Sequence, residues 1–451
     1  MRINTGNRDL TSGAVWKVIL RFAFPLLIGN LLQQLYNVTD SVIVVQFLGK
    51  ESLAAVSASF FIYYFIISLV IGIGSGTSVV ISQFFGAKEF DKVQKAFSSF
   101  FIFMLVAGVL LSIAGIIFAE PMFRLTNTPE DVIPQAVAYF RIYVGGTFLF
   151  VTFNSIISIL RGVGESVRPM LFILLTTILN IALDLLFIVV FKWGIEGAAR
   201  ATVIAQGIGM CVALGYVNNT HPLLSIKKQD LLFDMGLFKE GLRIGLPARE
   251  RHVSGKRVGI TVHLGGRRIV KDTLTAYGAA GKIDTIIIQA VLTLSGALAA
   301  FCGQNIGAGH LDRVRDGVRF AMLVNLLLGL ATFTAIYFFG DKMMLAFTKD
   351  PEVMRIGKEY LLIMRGVFVV HGGVNVFNGA LRGAGDTLFP MAVSITCLWL
   401  IRIPLAYWFS SIWGRSGIWW AIGASLCIGL TITYIYYKLG FWKNKGPLRK
   451  K

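Results

Sequence analysis

The chain has 451 residues, of which 55% are hydrophobic and only 15% are charged, and its mean hydropathy is +0.70. A soluble protein carries about 25% charged residues and interrupts its apolar runs often. Here the runs are long enough to cross a bilayer, which takes about 20 residues of helix. The composition therefore excludes a soluble globular protein. The four cysteines lie in apolar stretches and indicate neither a disulfide framework nor a metal site.

The net charge of +19 is compatible with nucleic-acid binding, but the distribution of Lys and Arg indicates membrane topology instead. Basic residues are concentrated in alternate loops and in the tail after residue 440. With a cytoplasmic N-terminus, this bias follows the positive-inside rule. We therefore expect a multi-pass protein of the plasma membrane, surrounded by lipid, with both termini cytoplasmic and no nucleic-acid partner.

The apolar runs predict an all-α polytopic membrane protein with twelve transmembrane helices, six in each half. Eleven spans are predicted at 18–46, 54–85, 96–118, 132–160, 169–191, 197–216, 283–305, 317–340, 356–381, 388–410 and 417–437. The remaining span, seventh in order, is expected near 247–269. The predicted domains are a six-helix lobe at 1–222, a cytoplasmic linker at 223–238, a second six-helix lobe at 239–440 and a basic cytoplasmic tail at 441–451.

The two halves repeat one another. LRGVGESVRPM begins at residue 160 and LRGAGDTLFPM at residue 381, which is 221 positions later. The same shift relates QFFGAKEFDKVQKA, from Gln83, to QNIGAGHLDRVRDG, from Gln304, and it relates Tyr139 to Tyr360. Because six spans is an even number, both halves enter the membrane from the same side. The repeats are therefore predicted to be parallel, an arrangement that suits alternating access around a central cavity.

At these motifs the chain resembles the multidrug and toxic compound extrusion (MATE) family, and in particular its DinF-like branch. The resemblance covers nearly the whole chain and also includes GNLLQQLYNVTD at 29–40 and LTAYGAAGKID at 274–284. It implies a V-shaped pair of lobes in a monomeric antiporter. Such an antiporter exports small amphipathic or cationic organic molecules in exchange for protons or sodium ions. No cofactor is expected.

The first span carries a polar stripe formed by Asn30, Gln33, Asn37 and Asp40, with Tyr36 beside it. These positions share one helical face. A polar face of this kind lines a cavity or a helix contact, because lipid cannot satisfy its hydrogen bonds.

A proline in the same span and polar residues in two further spans bear on this stripe. Pro25 can bend the first span, the fifth carries Asn180 and Asp184 four positions apart, and the sixth carries Thr202 and Gln206 in the same spacing. In the DinF-like branch, matching residues form a cation-responsive cluster. The resemblance thus assigns cation coupling to Asp40, Asn180, Asp184 and Thr202.

These residues predict a cavity in the N-terminal lobe. Two carboxylates in a low-dielectric site repel each other, so one of Asp40 and Asp184 is expected to hold a proton at neutral pH. Proton entry would then bend the first span at Pro25 and displace a cationic substrate. Sodium bound to the same oxygens is an alternative, and so is a purely structural role in helix association. The residues expected to line the substrate cavity are Gln33, Tyr36, Asn37, Tyr139, Asn154 and Gln206.

The second half lacks a matching acid pair. Its tenth span has Glu359 only near the start, followed by His371, Asn375 and Asn378. NorM-like members of the family carry carboxylates in this lobe, and their absence here favours coupling through the first half. Asp284 lies near the edge of its span and is equally compatible with a structural role. No metal site is predicted, since His371 has no partner at ligand spacing.

The LRG-x-G motifs are interpreted as structural elements at cytoplasmic span ends. Their glycines would allow tight turns, and Arg161 and Arg382 would anchor at the interface. Arg365 and Arg402 lie within spans, and no partner can be assigned to them from the sequence.

Residues 248–270 contradict the expected seventh span. This stretch, ARERHVSGKRVGITVHLGGRRIV, is rich in Arg, His and Gly, although the repeat register is intact on both sides. Each charge near the bilayer centre disfavours insertion by about 2.5–3.5 kcal/mol. The stretch as written is therefore predicted not to span the membrane. Two compensating frameshifts in the coding sequence are the preferred explanation, and a re-entrant or cytoplasmic segment is the alternative.

Other function classes fit less well. A lipid-linked oligosaccharide flippase of the same superfamily would need cationic residues in its cavity, whereas Asp40 and Asp184 supply the opposite sign. A membrane-embedded enzyme would need paired acids at metal spacing or a nucleophile motif. No phosphate-binding loop for ATP is present. The sequence therefore favours a non-enzymatic secondary transporter, and it does not decide between protons and sodium.

Overall fold

A computed structural model describes residues 9–446, except 127, 222, 228, 255–266, 346, 347 and 349. The described residues form helices and no strand. In the first half these are α1 (Val15–Gly49), α2 (Glu51–Gly86), α3 (Phe90–Ile117), α4 (Ala119–Leu125), α5 (Ile133–Gly145), α6 (Thr147–Gly162), α7 (Val167–Val190) and α8 (Gly194–Asn219). In the second half they are α9 (Met235–Ser254), α10 (Arg267–Gly307), α11 (Leu311–Leu345), α12 (Pro351–Gly383), α13 (Leu388–Trp413) and α14 (Arg415–Leu439).

The expected polytopic all-α fold is confirmed. Within the described ranges, ten helices are long and apolar enough to cross a membrane. An eleventh span consists of α5 and α6, which meet at an angle of 47° at Gly146. The predicted span 132–160 is therefore a broken helix. Pro25 lies inside α1, which continues through it.

The seventh predicted span, near 247–269, corresponds to the end of α9 and the start of α10. Helix α9 is not among the helices that qualify as spans. Residues 255–266 lie outside the described part of the chain. That this stretch does not span the membrane, and that it results from frameshifts, therefore remain predictions.

The repeat in the sequence is also present in the backbone. Gly164 and Gly385, which are 221 positions apart, have φ of +89° and +82°. Lys88 and Gly309, at the same shift, have φ of +60° and +79°. A positive φ is the left-handed conformation that ends a helix and that glycine adopts at little cost. The halves thus end the corresponding helices in the same way.

The described chain divides into two compact units. The first contains residues 9 and 24–249, and the second contains residues 10–23 and the described residues from 250 onward. Helix α1 therefore begins in the second unit and continues in the first. The predicted lobe and linker boundaries remain predictions.

The LRG glycines have a packing role rather than a turn role. A Cβ atom added to Gly162 would lie 2.7 Å from the carbonyl oxygen of Ser78, and one added to Gly383 would lie 2.5 Å from that of Ala299. These two contacts are again 221 positions apart. Each joins the fourth or tenth span to the second or eighth at a distance too short for a larger side chain. The turn expected from the motif is made by the following glycine.

Candidate functional site

The predicted coupling residues meet inside the first unit. Asp184 is completely buried, and Asn180 and Thr202 are 2% and 5% exposed. Helices α7 and α8 pack side by side and carry these three residues, while α1 supplies Asp40. Directly after Asp184, α7 changes to π-helical hydrogen bonding over Leu185–Val190. Such a local widening of a helix is frequent at functional sites.

Thr202 joins two of the helices through its hydroxyl group. The side-chain amide of Asn180 donates a hydrogen bond to Thr202 Oγ1 over 3.2 Å. The Tyr36 hydroxyl lies 3.3 Å from the same oxygen. Because Tyr36 and Asp40 are one helical turn apart on α1, a change at the acid pair can be transmitted to Thr202 through Tyr36.

The carboxyl groups of Asp40 and Asp184 are adjacent. Neither oxygen of Asp184 accepts a hydrogen bond from a donor group in the described part of the chain, and Asp40 Oδ1 and Asn180 Oδ1 are also buried without a donor. Buried polar atoms are nearly always hydrogen-bonded. Buried oxygens without donors beside an acid pair are suited to hold a proton or a cation.

Three tyrosines surround the acid pair. Tyr36, Tyr139 and Tyr143 all lie close enough to Asp40 to interact electrostatically with its carboxyl group. The rings of Tyr139 and Tyr143 are stacked with their centroids 5.5 Å apart. Tyr143 was not predicted, although its position four residues after Tyr139 places it on the same face of α5. The rings offer aromatic faces to an organic cation.

A small cavity of about 50 Å³ lies beside this cluster. Four predicted residues line it: Gln33, Tyr36, Asn154 and Gln206. Tyr139 does not line it but lies near the acid pair. Asn37 is exposed and donates to Gln34 Oε1 over 3.3 Å.

Arg161 also lines this cavity, so it does not anchor at the interface as expected. Its Nε atom is buried and has no acceptor among the described residues. Arg382, at the repeated position, donates to Ser295 Oγ over 2.8 Å inside the second unit. Both arginines thus turn inward, because their long stems can reach either water or the cavity from the same position.

A larger cavity of about 370 Å³ lies in the second unit. Asp284, which is 8% exposed, lines it and accepts a hydrogen bond from the Tyr360 hydroxyl. Arg402 lines it as well, and its Nε donates to Ser425 Oγ over 2.9 Å. Arg402 ends the π-helical segment Thr396–Arg402 of α13. The sequence did not predict this cavity.

Aromatic rings form part of the wall of the larger cavity. Tyr277 and Tyr360 meet edge to face with centroids 5.6 Å apart, and Trp419 packs behind both. His371, Asn375 and Asn378, the polar residues noted in the tenth span, line the opposite part. The cavity is therefore amphipathic, and its polar lining includes one carboxylate, one guanidinium group and one imidazole.

Comparison with known proteins agrees with this architecture. The chain matches the MatE family over residues 25–186 and 260–408. It is 31% identical to the probable multidrug resistance protein YpnP of Bacillus subtilis (strain 168), covering 96% of this chain and 97% of the relative. It is 30% identical to the probable multidrug resistance protein YoeA of the same organism, covering 97% and 96%. Among solved structures, an outward-facing multidrug resistance MATE family transporter of the MOP superfamily is 25% identical, with a TM-score of 0.87 over 95% of this chain and 96% of the other.

Proposed function

The chain belongs to the MatE family of multidrug efflux transporters, and on this premise we propose that it is a secondary antiporter of the plasma membrane. It exports organic cations in exchange for protons or sodium ions, acts as a monomer and has no enzymatic activity. Both termini face the cytoplasm, as the distribution of Lys and Arg indicates.

The acid pair of Asp40 and Asp184 carries this proposal. Two adjacent carboxylates in a low-dielectric site cannot both remain ionised without a compensating positive charge. A proton, a sodium ion or the charged group of a substrate can each supply that charge. Because these cations compete for the same oxygens, binding of one favours release of another, and this competition is the basis of exchange.

The contacts of Thr202 and Tyr36 link occupancy of the pair to the shape of the first unit. Loading the pair with a proton changes which oxygens can accept hydrogen bonds. The resulting rearrangement reaches α1 through Tyr36, and Pro25 lowers the cost of bending this helix because it removes a backbone hydrogen bond. The coupling cluster is thus Asp40, Asn180, Asp184 and Thr202, with Pro25 as the bend.

The surroundings of the pair suit cations that differ in shape. The rings of Tyr36 and Tyr139 provide apolar area and cation–π contacts. The cavity-lining amides of Gln33, Asn154 and Gln206 provide few fixed contacts, so the site does not select one geometry. Asn37 is expected to join the lining only after α1 bends, since its side chain is exposed in this conformation.

Efflux from proteoliposomes tests the proposal. Ethidium efflux is measured under an imposed proton gradient and, separately, under an imposed sodium gradient. We expect one gradient to drive efflux and Asp40→Asn to abolish that dependence, because the substitution removes the ionisable group at nearly constant volume. Asp312→Asn is the matched control, since this carboxylate is 91% exposed. Gradient-driven efflux by Asp40→Asn at the unsubstituted rate would refute the coupling role.

A further inference from the structure

The small cavity of the first unit contains a positive charge that the proposed cation exchange does not use. Arg161 lines this cavity of about 50 Å³, and a guanidinium group stays charged in proteins. Its Nε atom is buried, and no acceptor among the described residues contacts it. A cavity proposed to receive organic cations therefore contains a fixed charge of the same sign, and a buried charge is stable only with a partner.

The repeat partner of this arginine has an acceptor that the first unit lacks. Arg382, 221 positions after Arg161, donates to Ser295 Oγ over 2.8 Å. At the same shift, Ser295 corresponds to Gly74, which has no side chain to accept a hydrogen bond. A Cβ atom added to Gly74 would lie 3.2 Å from Ser158 Oγ, so a serine fits there only if Ser158 gives way. The partner of Arg161 must therefore come from elsewhere.

The rest of the cavity lining is neutral and polar. None of the described residues that line it is acidic. Amide and hydroxyl groups, which can donate to an anion, are supplied by Gln33, Asn154, Thr176, Thr177 and Gln206. Gln206 Oε1 is buried without a donor among the described residues. Rotation of this amide exchanges that oxygen for an N–H donor without breaking a hydrogen bond of the oxygen.

The size of the cavity limits its ligand to a small ion. A water molecule needs about 10–15 Å³ of such space, whereas sites for drug-sized molecules enclose roughly 300–1,000 Å³. The cavity of about 50 Å³ thus has room for a few water molecules or for one compact anion. Because Arg161 is the only charged group among the described lining residues, the anion that balances it is monovalent. Chloride has both properties.

An anion beside Arg161 changes how the first unit receives a cation. Like charges in a low-dielectric site repel strongly, so an uncompensated guanidinium disfavours an organic cation in the same cavity. A bound anion cancels this repulsion. It does so without occupying the acid pair, because neither Asp40 nor Asp184 lines the cavity.

We propose that Arg161 and the amides around it form a chloride site, and that chloride binds together with the organic cation rather than in exchange for it. The chloride site depends only on the surroundings of Arg161. Its effect on cations rests on the function proposed above for the first unit.

Two measurements on the purified full-length chain in detergent test the site without any ion gradient. The first is equilibrium binding of radioactive chloride, which we expect to be saturable. The second is the affinity for ethidium in sodium chloride and in sodium gluconate of equal ionic strength, since gluconate is too large for the cavity. We expect ethidium to bind about tenfold more tightly in chloride, the scale of removing one partly screened repulsion between like charges.

Replacing the arginine should remove both effects. Arg161→Gln should abolish saturable chloride binding and make the affinity for ethidium equal in the two salts. Arg382→Gln is the matched control and should retain both effects, because this arginine occupies the repeated position but donates to Ser295 and lines neither cavity. If Arg161→Gln does not fold, Gly74→Ser combined with Ser158→Ala offers Arg161 an internal acceptor. This pair should weaken chloride binding severalfold, and Ser158→Ala alone should not.

The outcomes separate the chloride site from its effect and from the proposed function. Absence of saturable chloride binding, or chloride binding that Arg161→Gln leaves unchanged, would refute the site. Equal affinity of the unsubstituted chain for ethidium in the two salts would refute the joint binding of chloride and cation. If the chain bound chloride through Arg161 but bound no ethidium in either salt, the chloride site would be supported and the proposed cation transport would fail.

Discussion

The two units share a scaffold but differ in where they hold their charges. Tyr139 in the first unit and Tyr360 in the second are repeat partners; Tyr139 lies near an acid pair, and Tyr360 donates a hydrogen bond to an acid. In the first unit the acids are Asp40 of α1 and Asp184 of α7, whereas in the second the acid is Asp284 of α10. The tyrosine has been retained while the acid occupies a different helix.

Two polar residues of the sixth span, Thr202 and Gln206, also lack polar counterparts in the second unit. Gly194 and Gly414, which are 220 positions apart, have nearly equal φ values of +61° and +59°. At this local shift, Thr202 corresponds to Ile422 and Gln206 to Leu426. Both apolar residues line the larger cavity. The first unit thus contains the polar groups that we propose respond to cations. The second has a wider and more apolar enclosure, and we expect this division to confine ion coupling to the first unit.

The largest effect that tests this division is expected from replacing one buried acid in each unit, Asp184 in the first and Asp284 in the second. Asp184→Asn should reduce gradient-driven ethidium efflux by about 5- to 150-fold, the range of a coupling free energy of 1–3 kcal/mol. Asp284→Asn should leave it within about threefold of the unsubstituted chain. Both changes preserve side-chain volume, and both are measured in the same proteoliposome assay.

The reverse outcome would reverse the assignment. If Asp284→Asn abolished the response to the gradient and Asp184→Asn preserved it, coupling would reside in the second unit. Protein amount and orientation in the vesicles are matched beforehand, so that a change in rate reports on transport rather than on insertion.

The second prediction concerns the part of the scaffold that the units share. Gly162→Val and Gly383→Val should each lower the thermal stability of the purified chain by a similar amount, because each side chain would collide with a backbone carbonyl oxygen. Overpacking of this kind costs roughly 1–3 kcal/mol. Gly215→Val is the control, since no atom lies within 4 Å of the added Cβ. A large loss for only one of the two LRG variants would show that the repeats do not use this contact equally.

Much of the fold follows from the sequence, because hydropathy and the repeat shift depend on properties that survive duplication. The turn glycines are of this kind, whereas the contact between Asn180 and Thr202 was expected from the family resemblance. The cavity of the second unit could not be predicted. Hydropathy places Asp284 near a span edge, but helix α10 continues past it. The hydroxyl that contacts Asp284 comes from Tyr360, 76 positions away.

The inward direction of Arg161 and Arg382 was also missed, for a physical reason. A long arginine stem at a span end can extend toward the interface or into the protein at little difference in cost. The direction of the side chain depends on acceptors on other helices, such as Ser295 for Arg382. The sequence pattern does not show where those acceptors lie. The residues of the N-terminal site were easier to predict, since Asn180 and Asp184, like Thr202 and Gln206, lie four positions apart on one helical face.

The third prediction uses a contact that occurs once in each unit. Tyr216 donates to Glu165 over 2.9 Å, and Tyr436 donates to Asp386 over 2.5 Å. Tyr216→Phe and Tyr436→Phe should each lower the free energy of unfolding by at most about 3 kcal/mol, since a hydrogen bond to a charged group contributes roughly 1.5–3 kcal/mol. Thermal unfolding in detergent measures both. We expect the loss to be smaller for Tyr216→Phe, because His221 lies 3.6 Å from Glu165 and gives this acid a second neighbour.

The smallest effect is expected at Thr202, which has no polar counterpart in the second unit. Thr202→Val keeps the shape of the side chain but removes the oxygen that contacts Tyr36 and Asn180. The loss of neutral hydrogen bonds of about 0.5–1.5 kcal/mol each should lower gradient-driven ethidium efflux several-fold without abolishing it, because the acid pair remains. Thr202→Ser restores the oxygen and should recover most of the rate. If Val and Ser behave alike, the hydroxyl does not transmit the state of the acids. The coupling then passes from Asp40 to α1 directly, and the difference between the units reduces to the position of their carboxylates.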